Sequence, residues 1–96
     1  AAVPGVLAVE SARRAGGEDA HPVFELAVTA PETAEMFVEG PPDWFAGVPE
    51  RIAGSDPPTY RVTIDRIGAK TPIAGQSLRV TLAAGGKAVE QVVPID

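Results

Sequence analysis

Cysteine is absent from the chain. Disulfides, thiolate-bound metals and thiol chemistry are therefore excluded within these 96 residues. The compartment stays open, because a sandwich of this size can be stable without a disulfide. Histidine is represented by His21 alone. Aromatics are few, with one Trp, one Tyr and three Phe, so a core must rest on Val, Ile, Leu and Ala. Positive charge is in deficit: eight Lys and Arg stand against thirteen Asp and Glu, a net charge of −5. Nucleic-acid binding needs a basic footprint. Here only Arg13 and Arg14 are adjacent, and Arg51, Arg61, Arg66, Lys70, Arg79 and Lys87 are scattered as on a solvated surface. Nothing approaches the ~20 apolar residues that cross a bilayer, so direct membrane insertion is not expected. No basic start leads into an apolar run, as a signal peptide would. The sequence opens on Ala1 rather than Met, which reads as a processed or excised piece of something longer.

What is present is a hydrophobic fraction of 45% punctuated by ten Gly and ten Pro. The Gly and Pro fall between apolar runs, as turns between short strands do. Residues 1–4 read as a linker end and residues 5–96 as a single domain. Val6 to Val9 suit a first strand, broken by Ala15-Gly16-Gly17-Glu18-Asp19. In Val23–Thr29, Phe24, Leu26 and Val28 share one face, with Glu25 and Thr29 on the other, the period of a half-buried strand. Ala34, Met36 and Val38 alternate with Glu35 and Glu39, while Phe37 interrupts the polar side and is expected to cover a sheet edge or a loop. Gly40-Pro41-Pro42-Asp43 ends that strand, since proline cannot donate to a ladder. Trp44 to Pro49 reads as an irregular crossover and Glu50 to Ala53 as a short strand. Tyr60, Val62 and Ile64 then face inward from a strand over residues 60–67.

The last two strands form a hairpin on Gly85-Gly86, glycines that can adopt the positive φ of a two-residue turn. That turn sets Leu82 opposite Val89, Val80 opposite Gln91, Leu78 opposite Val93 and Thr81 opposite Glu90. The register is self-consistent in its faces. No segment keeps a helical period, and no internal repeat is visible. The fold class expected is all-β, an immunoglobulin-like antiparallel sandwich of about seven short strands.

Chemistry is hard to find in this composition. No spacing ties His21 to Ser11, Ser55 or Ser77, so it reads as an exposed turn histidine rather than a catalytic base. A copper(I) site would need His21 with Met36, but a methionine in an alternating strand is ordinarily core. Glu32, Glu35 and Glu39, and the Glu18-Asp19 pair, lack calcium-loop spacing. Gly85-Gly86-Lys87 lacks the spaced glycine and the Lys-Ser/Thr pair of a phosphate loop. No catalytic, cofactor-binding or metal residue is assigned, and no cofactor is expected. Trp44 and Phe45 are the one sharp feature. Exposed, they would be a partner contact of the kind tryptophan favours; buried, they would cap one end of the sandwich.

Two stretches resemble a known family. Phe37-Val38-Glu39-Gly40-Pro41 with Asp43-Trp44 is one; Ser77–Leu82 followed by Gly85–Glu90 is the other. Together they are similar to the downstream part of the periplasmic region of bacterial DsbD-like thiol-disulfide interchange proteins, closest in type to the ScsB-like group linked with suppression of copper sensitivity. The resemblance implies a cysteine-free second β-sandwich between a redox-active sandwich and a membrane-embedded thiol-redox domain. The family's periplasmic cysteine pair is missing, so no catalytic residue carries over to this chain. The implied role is non-catalytic spacing, orienting or docking in the periplasm. The implied partners are the redox-active neighbours in the same chain and periplasmic thiol-disulfide proteins. A competing expectation is a fibronectin-like or carbohydrate-binding module of a secreted protein, which would need Trp44 and Phe45 as an exposed platform. A third is a copper chaperone using His21 and Met36.

Overall fold

The structure, a computed structural model, describes residues 7–95. The expected linker end at residues 1–4 and the expected strand residue Val6 lie outside the described residues. Strand β1 spans Ala8–Glu18, β2 His21–Thr29, β3 Glu35–Glu39, β4 Phe45–Ala46, β5 Glu50–Arg51, β6 Thr59–Asp65, β7 Ser77–Ala84 and β8 Lys87–Pro94. Two-residue alternation decides what each strand buries. Phe24, Leu26 and Val28 of β2, Tyr60, Val62 and Ile64 of β6, and Leu78, Val80 and Leu82 of β7 all turn inward and are buried. Met36 and Val38 of β3 join them from the facing sheet. A fully buried Leu, Ile or Phe contributes about 1.5–3 kcal/mol relative to exposure, so this cluster is what holds the two sheets together.

One sheet has the order β1-β2-β6-β4, with β5 also on β6; the other is β3-β7-β8. All pairs within the sheets are antiparallel. Both β4 and β5 lie on the flank of β6 away from β2, at Ile64–Asp65 and at Tyr60–Arg61 respectively. They are two halves of one strand, interrupted by Val48 and Pro49. Counting them as one, four strands in the order first-second-fifth-fourth face three in the order third-sixth-seventh. That is the strand order of a constant-type immunoglobulin sandwich. The fold class is therefore the one the alternation predicts, with eight strands because proline breaks the fourth.

The hairpin of β7 and β8 has the register expected from its turn: Leu82↔Val89, Val80↔Gln91, Leu78↔Val93 and Thr81↔Glu90. Gly85 and Gly86 take φ of 58° and 78°, the two positive angles a type I′ turn requires.

Strand β1 departs from expectation. Instead of breaking at Ala15–Asp19 it continues to Glu18, pairing β2 with register shifts between Val9 and Ser11 and between Arg14 and Gly16. From Arg13 onward it is exposed on both faces, so backbone pairing with β2, not burial, keeps it extended. Hydrophobic pattern cannot register such a strand. The break falls instead as a bulge at Ala15 inside the strand, and Gly16 and Gly17 pair onward with Val23 and Pro22. Phe37 also departs: it stands out from the solvent face of β3, 57% exposed, and covers no edge or loop.

A side chain closes one flank of the sandwich. The Gln91 amide of β8 accepts from the backbone N–H of Val9 at 2.7 Å and donates to the Val9 carbonyl at 3.2 Å. A parallel bridge between Ala12 and Ile95 continues the seam. The body measures 42 × 24 × 20 Å. Leu7 lies at the pole that carries the β7–β8 turn, and Ile95 at the pole that carries Asp19 and Pro72–Ala74.

Candidate functional site

The richest polar cluster sits at the pole of Ile95. Pro41-Pro42-Asp43-Trp44 forms a turn in which the Trp44 N–H donates to the Pro41 carbonyl at 2.9 Å. That turn swings the indole inward, where it is 5% exposed and stacks on Phe24 with centroids 6.3 Å apart and planes at 11°. Gly40 lies against the ring: a Cβ there would come within 2.9 Å of Trp44 Cε3. The Arg66 guanidinium also lies over the indole, 5.4 Å from the centroid. It donates to the Asp19 carbonyl at 2.7 Å and to the Thr71 carbonyl, and its backbone N–H reaches the Ala20 carbonyl at 2.9 Å. Asp43 Oδ2 accepts from the backbone N–H groups of Lys70 and Thr71 at 3.0 and 3.1 Å. The Thr71 amide hydrogen bond is the main reason the Asp43 carboxyl is held below its ordinary range, against the desolvation that would raise it. Three connecting segments are thus tied around one tryptophan.

Three buried polar atoms lack a protein partner among the described residues: Asp43 Oδ1, Trp44 Nε1 and Arg66 Nε. All belong to this cluster, one acceptor and two donors, a set complementary to a water's own hydrogen-bonding groups. Beside it is an open cleft of about 560 Å³ lined in part by Arg14, Asp19, Arg66 and Ile95. Arg14 is engaged by the Gly17 carbonyl and Asp19 Oδ1, both at 3.1 Å. The guanidinium groups are spent on carbonyls and on Asp19, and the lining holds no nucleophile beside a base. What this arrangement does is fasten loops.

The opposite pole repeats the device. Buried Tyr60 donates its hydroxyl to the Ala34 carbonyl at 3.1 Å, and Arg51 lies over its ring at 5.8 Å while donating to the Pro31 carbonyl at 3.2 Å. Between the poles, the outer face of the first sheet carries a row of alternating charge. Glu50, Arg61, Glu25 and Arg13 are cross-strand neighbours on β5, β6, β2 and β1. Glu25 is bonded to Arg13 at 2.9 Å and to Arg61 at 3.4 Å. The Arg13 hydrogen bond, with Arg61 assisting, holds the Glu25 carboxyl below its ordinary range despite some desolvation.

The structure separates the residues singled out in the sequence. Trp44 is core, whereas its neighbour Phe45 is 69% exposed, so the two rings form no common platform. His21 is exposed on β2, with Nε2 3.9 Å from Asp65 Oδ1, whereas Met36 is buried on the inner face of the other sheet; the two do not converge. Ser55 donates to the Ile52 carbonyl and accepts from the Thr59 N–H, which makes it a turn residue. Glu32, Glu35 and Glu39 are exposed, and no group of three or more His, Asp or Glu poised for a metal occurs among the described residues. Arg66, Asp43 and Gln91 carry the most specific polar contacts, and sequence reasoning missed them. An arginine or aspartate in a loop gives no sign of which carbonyl or amide it will meet. No protein-family model, curated protein or solved structure matches the chain.

Proposed function

We propose that the chain is a non-catalytic immunoglobulin-like module of a periplasmic, membrane-bound thiol-disulfide interchange protein of the DsbD-like or ScsB-like kind, and that it spaces and orients a redox-active neighbour. The observation that carries the spacer reading is polar geometry. Chain enters the body at Leu7, beside the β7–β8 turn, and leaves it at Ile95, beside Asp19 and Pro72–Ala74, so the two attachment points lie at opposite ends of the β1–β8 seam. A module built this way holds what is attached to its two ends apart by the extended run from Leu7 to Ala12, which Ile95 bridges, about 17 Å at ~3.3 Å per residue. Both poles are fastened by an arginine laid over a buried aromatic ring, so the separation comes with a defined angle. The redox setting is supported by the two stretches that resemble the family and by the lack of cysteine, which leaves thiol exchange to the neighbours. The partners on this reading are those neighbouring redox domains and, through them, periplasmic thiol-disulfide proteins.

Excision of this module from its parent, with the flanking segments joined, tests the reading. Electron delivery to a periplasmic disulfide substrate should fall while the isolated redox-active domain keeps its reactivity toward a small thiol. Unimpaired delivery after excision would end the proposal.

A further inference from the structure

A β-sandwich of this kind has four sheet flanks, and three of them are blocked here. The flanks of β1 and β8 close on each other from Val9 to Ala12 through Gln91 and the Ala12–Ile95 bridge, and the outer half of β1, Arg13–Glu18, is blunted by a register shift and two glycines. The flank beside β6 is filled by β4 and β5, two residues each, split at Val48 and Pro49. Short, proline-broken edges of that sort resist pairing with another strand. Strand β3 is the exception. It runs five residues without proline, glycine or register shift against β7, and no backbone hydrogen bond among the described residues engages its other side. Its inner side chains keep 6% and 9% exposure at Met36 and Val38, against 0–1% for the β7 residues opposite, as expected of a strand open on one side.

The outward side chains of β3 are Glu35, Phe37 and Glu39, acidic–aromatic–acidic, all exposed. Neither glutamate joins an ion pair among the described residues; Arg79, opposite Glu39, pairs with Glu90 at 3.6 Å instead. We infer that the open flank of β3 is a docking edge for an extended segment of a partner protein, one whose outward residues alternate basic, apolar, basic. Main-chain hydrogen bonds to β3 would supply the affinity. Basic side chains opposite Glu35 and Glu39, and an apolar one opposite Phe37, would supply the choice of partner. A second copy of this chain fits badly. Two β3 strands paired antiparallel about Phe37 would set Glu35 against Glu39 twice, and like charges directly opposite destabilise a pair. The inference does not depend on the redox setting proposed above.

The test is a titration of the ¹⁵N-labelled chain with the peptide Thr-Lys-Val-Val-Val-Lys-Thr and, in parallel, with the same peptide carrying Glu for Lys, each followed by amide chemical shifts. The Lys peptide should give saturable shifts centred on residues 35–39, and the Glu peptide should bind about tenfold more weakly, as expected for two cross-strand charge pairs reversed in sign. Added salt should narrow the gap. The double variant Glu35→Lys/Glu39→Lys changes two exposed positions and should invert the preference with the rest of its spectrum unmoved. Equal binding of both peptides would overturn the inference, as would no saturable binding of the Lys peptide at millimolar concentration. So would shifts centred on β4, β5 or β8, an unchanged preference in the double variant, or self-association of the chain through β3.

Discussion

Replacing Trp44 by alanine is the sharpest test of how this sandwich is held at one end. A tryptophan offers up to about 250 Å² of surface. With only 5% left exposed, burial at about 25 cal/mol per Å² gives an upper bound near 6 kcal/mol. Correcting for compactness of the unfolded chain brings this to about 3.5–5 kcal/mol, in line with the ~3–5 kcal/mol usual for Trp→Ala in cores. A domain of this length has only about 5–14 kcal/mol of stability to lose. Urea unfolding followed by far-ultraviolet circular dichroism reads the change without needing the tryptophan as a probe, and the melting temperature should drop by about 15–30 °C. The companion variant Trp44→Phe keeps a ring on Phe24 and under Arg66. It also removes an indole N–H that has no protein partner among the described residues, so part of the lost area is offset. It should cost less than about 1.5 kcal/mol. The reasoning fails if Trp44→Ala costs under about 1.5 kcal/mol, or if phenylalanine is as damaging as alanine.

Two further outcomes follow from single contacts. Gln91→Leu removes both amide hydrogen bonds to Val9; the expected loss is about 1–2 kcal/mol, with faster hydrogen exchange at the Val9 amide and little change at the β7–β8 turn. Glu25→Gln should matter only when the carboxylate is charged. The folded-state pKa of Glu25 lies below its ordinary 4.5, so its contribution is complete above that value and is lost as the pH falls through the lowered folded value. Urea midpoints of the two proteins should therefore differ most at neutral pH and converge on acidification below 4.5; a gap that stays constant down to pH 3 would contradict the assignment.

Side chains that alternate between core and water announced their strands. Phe24, Leu26 and Val28, or Leu78, Val80 and Leu82, are legible because each is buried for the same reason its neighbour is not. The hairpin at Gly85-Gly86 is legible because a turn of two positive φ angles leaves few residue choices and then fixes the register. The outer half of β1 is illegible: Arg13 to Glu18 is held by pairing to β2 and buries nothing. The split of the fourth strand is half legible. Pro49 signals a break, but only the contact of Ala46 and Arg51 with the same flank of β6 shows that the pieces belong together. At the poles, Trp44 carried a signal of importance without direction. Its burial depends on the Pro41–Trp44 turn and on the space left by Gly40, both of which are properties of the folded loop. Arg66 and Gln91 gave no signal, because a polar side chain that replaces a backbone partner looks in sequence like any surface residue.

The two poles differ in how firmly they are tied, and this bears on any role as a spacer. A spacer transmits orientation only if the segments at its ends move with its core. At the pole of Ile95, Arg66 and Asp43 together fasten the β1–β2 turn, the segment before β4 and the loop after β6. At the other pole, Tyr60 and Arg51 fasten only the segment between β2 and β3, at Pro31 and Ala34. Local opening free energies follow the number of buried contacts and hydrogen bonds holding a segment. The end of the body near Ile95 should therefore be the stiffer one, and a neighbour attached there would inherit the orientation of the core more faithfully than one attached beyond Leu7. The seam between β1 and β8 ties both ends, since Gln91 bonds both backbone groups of Val9, two residues from Leu7. It binds Ile95 directly, through the bridge to Ala12 and a hydrogen bond of 3.0 Å from its N–H to the Gln76 carbonyl. On the spacer reading, more of the angular control is exerted from the Ile95 end, where Arg66 and Asp43 tie three segments, than from the Leu7 end, where Tyr60 and Arg51 tie one.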